Sequence, residues 1–98
     1  MLALKIQDED NVATIFSEGV SKGINVNVKD KKGNTETLIA GGDIPYGHKI
    51  ATVQIQKGAK ILKYGETIGV ATIDIEKGEH VHVQNIDSLR GRGDLGGV

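Results

Sequence analysis

The stretch Gly78-Glu-His80-Val-His82-Val-Gln84-Asn85 carries two imidazoles one residue apart. On a β-strand, residues i and i+2 point to the same side with Cα atoms roughly 6.5–7 Å apart. A strand over 80–86 therefore predicts His80, His82 and Gln84 on one polar face, with Val81 and Val83 buried on the other. Two imidazoles on one face can close on a divalent metal or an anionic ligand, because each offers a lone pair or a proton near neutral pH. A protein-only metal site usually supplies three or four ligands, so the spacing alone leaves a solvated strand face as the alternative. His48 lies in a tight turn beside Lys49, and Arg90 and Arg92 alternate with glycine near the C-terminus. Arginine in such a segment can close over a carboxylate through two parallel hydrogen bonds. Gln84 and Asn85 add neutral hydrogen-bonding groups next to the histidines.

Several kinds of chemistry are excluded. There is no cysteine, which removes disulfides, thiolate ligands and a cysteine nucleophile and fits a reducing compartment. No GxxxxGK[ST] phosphate loop occurs, and no organic cofactor motif is legible. A net charge of −1 and a pI near 6.3 argue against a nucleic-acid partner. The opening Met1-Leu-Ala-Leu-Lys-Ile is too short for a signal peptide, and no apolar run approaches a membrane span. The expectation is a cytoplasmic chain with no membrane or nucleic-acid partner; self-association stays open.

The elements that must carry these residues are strands. The chain has 98 residues, suited to one domain. Twelve Ile and nine Val against six Leu and only three aromatics imply an aliphatic core with strong strand preference. A unit of the form aliphatic-x-x-Gly-x-x-aliphatic occurs four times: Val20 to Val26 around Gly23, Ile44 to Ile50 around Gly47, Ile55 to Ile61 around Gly58, and Ile75 to Val81 around Gly78. Each reads as a tight turn between strands, with glycine at a position of positive φ. Alternation between these turns predicts strands near 2–6, 12–16, 24–28, 35–39, 49–55, 60–63, 68–74 and 80–86. It also places Ile24, Val26 and Val28 on one face. For residues 10–17 a short helix capped by Asn11 is the alternative. The whole predicts an all-β domain over residues 1–88 and a flexible Arg/Gly tail over 89–98.

An ordered set of motifs gives a sharper expectation. It comprises Asp10-Asn11-Val12-Ala13, Ile44-Pro-Tyr-Gly-His48-Lys49-Ile50, Ile61-Leu-Lys63-Tyr64-Gly65-Glu66 with Ile68-Gly69, and Asp74-Ile75 followed by Gly78-Glu79-His80-Val81-His82-Val83-x-Asn85. Together, over residues 1 to about 90, these resemble the SAF domain of the altronate and galactarate dehydratase family. The resemblance implies a β-clip fold and the role of small subunit in a sugar-acid dehydratase, completing an active site on a large catalytic subunit. It implies His80, His82 and His48 as catalytic residues and Gln84, Asn85, Lys49, Arg90 and Arg92 as substrate-binding residues. His80 and His82 would be ligands of iron(II) or manganese(II) in the assembled enzyme. The family pattern commonly reads His-Val-His-x-His-Asn. Gln84 stands at the last of these histidines, so a partner group or water would have to replace the third imidazole. The alternatives are the small subunit of a sulfolactate sulfo-lyase-like enzyme and a non-catalytic carbohydrate-binding or interaction module. Three aromatics are few for a sugar-stacking platform.

Overall fold

The structure, a computed structural model, describes residues 2–88. Nine strands and no helix occur among them: β1 (Leu2–Leu4), β2 (Val12–Ile15), β3 (Asn25–Lys29), β4 (Thr35–Ile39), β5 (Lys49–Ala51), β6 (Lys60–Lys63), β7 (Glu66–Ala71), β8 (His80–Val81) and β9 (Ile86–Ser88). They form a six-stranded sheet in the order β4-β3-β1-β2-β5-β8 and a three-stranded sheet in the order β6-β7-β9. The domain is all-β, a compact fold of short strands of the β-clip kind.

The repeated turn organises the chain. In each copy the residue after glycine donates its N–H back three residues, as in His48 to Pro45 and Glu79 to Glu76. All four glycines have positive φ, between 82° and 93°. Beyond this local role, the copies pair. Val20 and Ile44 exchange backbone hydrogen bonds of 2.8 and 2.7 Å, and Ile55 and Ile75 do the same. An aspartate locks each pair: Asp43 accepts from the Lys22 N–H and Asp74 from the Lys57 N–H. The four aliphatic anchors are buried in two cores, Val20 and Ile44 in one and Ile55 and Ile75 in the other.

Those two cores share a wall. Val12 and Ala13 on β2, like Ile50 and Ala51 on β5, are neighbours in sequence, point to opposite faces and enter different cores. Both faces of these strands are covered, so β2 is buried at every position. This is why the period-two alternation is lost there. The helix alternative for residues 10–17 fails for a related reason. Asp10 and Asn11 are engaged with the distant β6–β7 hairpin: Asp10 accepts from the N–H groups of Tyr64 and Gly65, and Asn11 bonds the backbone of Lys60 and Leu62. Tyr64 and Gly65 both have positive φ. The buried Asp10 carboxylate therefore secures a two-residue turn of the kind that closes hairpins.

All three aromatics are exposed and the core is aliphatic, as the composition requires. Ile24, placed on one face with Val26 and Val28, is 42% exposed where those two are buried, because it belongs to the turn and lies before β3 starts. The predicted strand over 49–55 stops at Ala51, and that over 68–74 starts early, at Glu66, and stops at Ala71. The largest departure is at 80–86. The chain leaves β8 after Val81, turns through 82–85 and enters the other sheet as β9. No helix among the described residues is long and apolar enough to cross a membrane. The expected tail at 89–98 lies outside the described residues.

Candidate metal centre

Two copies of the turn deliver the histidines. The second copy passes through His48 into β5, and the fourth passes through Glu79 into β8. These two strands pair antiparallel, with Ile50 opposite His80 and Lys49 opposite Val81. Carrying that register one step outward sets His48 across from His82. The three imidazoles accordingly cluster, although 32 residues separate His48 from His80. His48 Nδ1 lies 2.9 Å from His80 Nε2. Ring centroids are 4.0 Å apart for His48 and His82, 5.1 Å for His48 and His80, and 5.6 Å for His80 and His82, with interplanar angles of 25° or less. One nitrogen from each ring lies within 4.8 Å of the other two.

His82 reaches this position through a turn. Asn85 is 3% exposed, and its side chain is committed at both ends. Oδ1 accepts the His82 N–H at 3.0 Å, and Nδ2 donates to the His80 carbonyl at 2.8 Å. Its backbone N–H donates to the His82 carbonyl, and its carbonyl accepts from Thr72. Asn85, expected to bind substrate, is placed as the internal tie of the turn, with both polar atoms of its side chain bonded to the backbone. The expected polar face is corrected by the same turn. Val81 is fully buried, but Val83 is 76% exposed, because the strand has ended and Val83 sits on the outside of the turn. Gln84 is exposed and folds back, its Nε2 lying 3.3 Å from both Nδ1 and the carbonyl oxygen of His80.

Burial holds the His80 and His82 imidazoles below the ordinary histidine range. The His48 ring and the Lys49 ammonium push both further down, and His82 does so for His80. Near neutral pH these rings are uncharged and keep a lone pair. Lys49 is half-buried, and burial, with Lys63 nearby, draws its ammonium below the ordinary lysine range. No carboxylate lies within ion-pair distance of Lys49 among the described residues. Arg90 and Arg92 lie outside the described residues.

The donor set fits a divalent cation. Imidazole nitrogens about 2.0–2.1 Å from one metal stand about 3–3.4 Å from each other, and one nitrogen from each of the three rings already lies within 4.8 Å of the other two. Position 84 carries glutamine, and the third imidazole of the cluster is that of His48. Reading along a strand could not find it, because its partner lies on another strand. The signal was nonetheless in the sequence: His48 and His80 fall one position apart in two copies of the same turn.

The SAF-domain model of altronate and galactarate dehydratases matches residues 1–89. The chain belongs to this family. This SAF domain is 39% identical over 85 residues to altronate dehydratase of Escherichia coli, covering 87% of the chain but only 16% of that enzyme. It is 32% identical over 84 residues to the alpha subunit of (2R)-sulfolactate sulfo-lyase of Chromohalobacter salexigens, covering 84% of the chain and 88% of that subunit. A third relative, the corresponding alpha subunit of Paracoccus pantotrophus, is 43% identical over 53 residues, 54% of the chain and 79% of that subunit. The SAF domain thus spans about a sixth of the length of the altronate dehydratases it matches and most of the length of the sulfo-lyase subunits.

Proposed function

We propose that this SAF domain is the small part of a sugar-acid dehydratase, removing water from a polyhydroxy carboxylate to leave a 2-keto-3-deoxy acid, and that it completes an active site on a large catalytic subunit. The observation that carries this reading is the convergence of His48, His80 and His82 on one spot, in a chain whose relatives are named as dehydratases and lyases. The three imidazoles would hold a divalent cation, iron(II) or manganese(II). Such an ion, when bound, supplies positive charge that makes the proton next to a substrate carboxylate easier to remove. The chain's own residues then divide the remaining work. Lys49, a cation without a carboxylate partner among the described residues, would receive the substrate carboxylate. Gln84 lies exposed at the rim, where its amide can reach a hydroxyl, and Arg90 and Arg92, outside the described residues, are further candidates for binding the acid.

The described residues supply no carboxylate cage beside the histidines, which is why a large subunit enters the proposal. A second reading, favoured by the 88% coverage of the sulfo-lyase subunit, keeps the same architecture with a sulfo group as the leaving group. The test is reconstitution. The chain alone should not turn over altronate, galactarate or sulfolactate with iron(II) or manganese(II) present. Its complex with the large subunit should act on one of them, and His48→Ala, His80→Ala and His82→Ala should each assemble normally and lose turnover. Activity of the chain alone, or full turnover in all three variants, would sink the proposal.

A further inference from the structure

The hydrogen bonds around the triad run in one direction, and Gln84 sets that direction. The Gln84 atom 3.3 Å from the His80 carbonyl oxygen must be a donor, because a carbonyl oxygen only accepts; it is the amide nitrogen. The same NH2 group has a second hydrogen, and it meets His80 Nδ1 at 3.3 Å. His80 Nδ1 therefore presents its lone pair, and the single proton of the neutral ring sits on Nε2. Nε2 lies 2.9 Å from His48 Nδ1, so it donates there, and the His48 proton is on Nε2 of that ring. The order is Gln84 to His80 to His48.

The consequence concerns His80 Nε2, the atom nearest to His48. In this arrangement it carries a hydrogen and has no lone pair for a metal. To ligate through Nε2, His80 must carry its proton on Nδ1, where a hydrogen-bond acceptor is needed; metal-bound histidines normally have one. Gln84 can supply an acceptor only by turning its amide over, which sets its oxygen against the His80 carbonyl oxygen and gives up the bond made there. We propose that Gln84 is a positioning residue that fixes the His80 tautomer, holding the triad in a hydrogen-bonded, metal-free arrangement and weakening its hold on a cation. The part of this inference that concerns a cation rests on the metal reading above; the part that concerns the tautomer does not.

Two substitutions separate the effects. Gln84→Leu has neither donor nor acceptor and releases His80. Gln84→Glu accepts from Nδ1–H and favours the ligating tautomer. Val83→Glu, at the exposed neighbouring position, adds the same charge without reaching Nδ1 and serves as the control. Long-range proton–nitrogen spectra of the labelled 98-residue chain, recorded on the alkaline side where the rings are neutral, should show His80 protonated on Nε2 in the parent and in Val83→Glu. Gln84→Leu should show a mixture of the two tautomers, and Gln84→Glu should show protonation on Nδ1. Calorimetric titration with zinc(II) should give tighter binding in Gln84→Leu than in the parent, and Gln84→Glu should exceed the parent by about tenfold or more. One His80 tautomer common to all four proteins, or the tightest zinc binding in the parent, would overturn the proposal. Tautomers that shift as expected in chains that bind no zinc would uphold the role of Gln84 and sink the metal reading.

Discussion

The first and third copies of the turn and the second and fourth share a backbone and differ in the two residues after the glycine. Gly23 and Gly58 are succeeded by Ile24-Asn25 and Ala59-Lys60, Gly47 and Gly78 by His48-Lys49 and Glu79-His80. The strands that leave the first and third copies, β3 and β6, pair with β1 and β4 and with β7. Those that leave the second and fourth, β5 and β8, pair with each other. Only there do two equivalent turns open side by side, so side chains at the start of each strand can meet. The turn thus recurs four times, and chain topology sets side by side the two copies that carry imidazoles.

The comparison is sharpest at the glycines. A Cβ on Gly58 would meet nothing within 4 Å, whereas one on Gly78 would run into the Ile39 carbonyl. The Gly78 N–H and C=O are also bonded to Ala51 and Gly41, so this turn is pressed against the sheet and cannot shift. Gly78→Val should lower stability by about 3 kcal/mol or more, combining positive-φ strain with a backbone clash. Gly58→Ala, where only φ is at fault, should cost about 1 kcal/mol. Urea unfolding of both variants checks the difference, and equal losses would mean that Gly78 is an ordinary turn glycine. Next in size is Asn85→Ala, which leaves the His82 N–H without its partner and the His80 carbonyl with only the longer bond from Gln84, and should cost about 2 kcal/mol. It should also separate the His82 and His48 rings, removing the ring-current shifts that stacked imidazoles impose on each other; unchanged histidine spectra would show that the turn holds without its tie.

Much of the fold was legible in advance because its signals are local. The four glycine turns depend on residues within one segment, and all four appear with the expected sign of φ. The hidden part is non-local. Val12 and Ala51 enter the second core because β2 and β5 are shared walls, which period-two alternation cannot express. The strand over 80–86 looked continuous because Val81 and Val83 alternate correctly. It is broken by Asn85, a residue whose turn-forming side-chain bonds compete with ladder pairing. A shared pattern, Ile50-Ala-Thr-Val53 and Val70-Ala-Thr-Ile73, stands at the same distance before the third and fourth turns, and β5 and β7 both end at its alanine. His48, His80 and His82 were each readable as candidates, but their meeting was not, since it requires the β5–β8 register.

Substituting the histidines should affect the fold little and the site greatly, the reverse of the glycine result. His82→Ala removes a half-buried ring outside both cores, so stability should change by less than about 0.5 kcal/mol. Zinc(II) affinity of the chain should nevertheless fall by more than about a hundredfold, beyond what loss of an outer hydrogen bond to a ligand costs. Lys60→Ala, at the equivalent of Lys49 in the third copy, should change neither quantity appreciably. Comparable zinc affinities for His82→Ala and Lys60→Ala would erase the distinction between the two pairs of copies.

The smallest effect is carried by protons. His80 and His82 titrate below the ordinary histidine range in the folded chain, chiefly through burial and then through His48. In the unfolded chain they titrate within that range. Between the two values the unfolded state binds more protons, so stability rises with pH across this window. The metal-free chain should hold its full stability above the ordinary histidine value and lose part of it as pH falls through the depressed ones. Removing the His48 ring takes away one cause of the depression for both neighbours, so in His48→Ala the His80 and His82 resonances should titrate closer to ordinary values. The window over which stability falls should narrow accordingly. Titration by proton spectra, with urea midpoints at matched pH, checks both statements. Identical curves in parent and variant would mean that His48 is electrostatically remote from the other two rings, and the pairing of the second and fourth turns would then carry no shared chemistry.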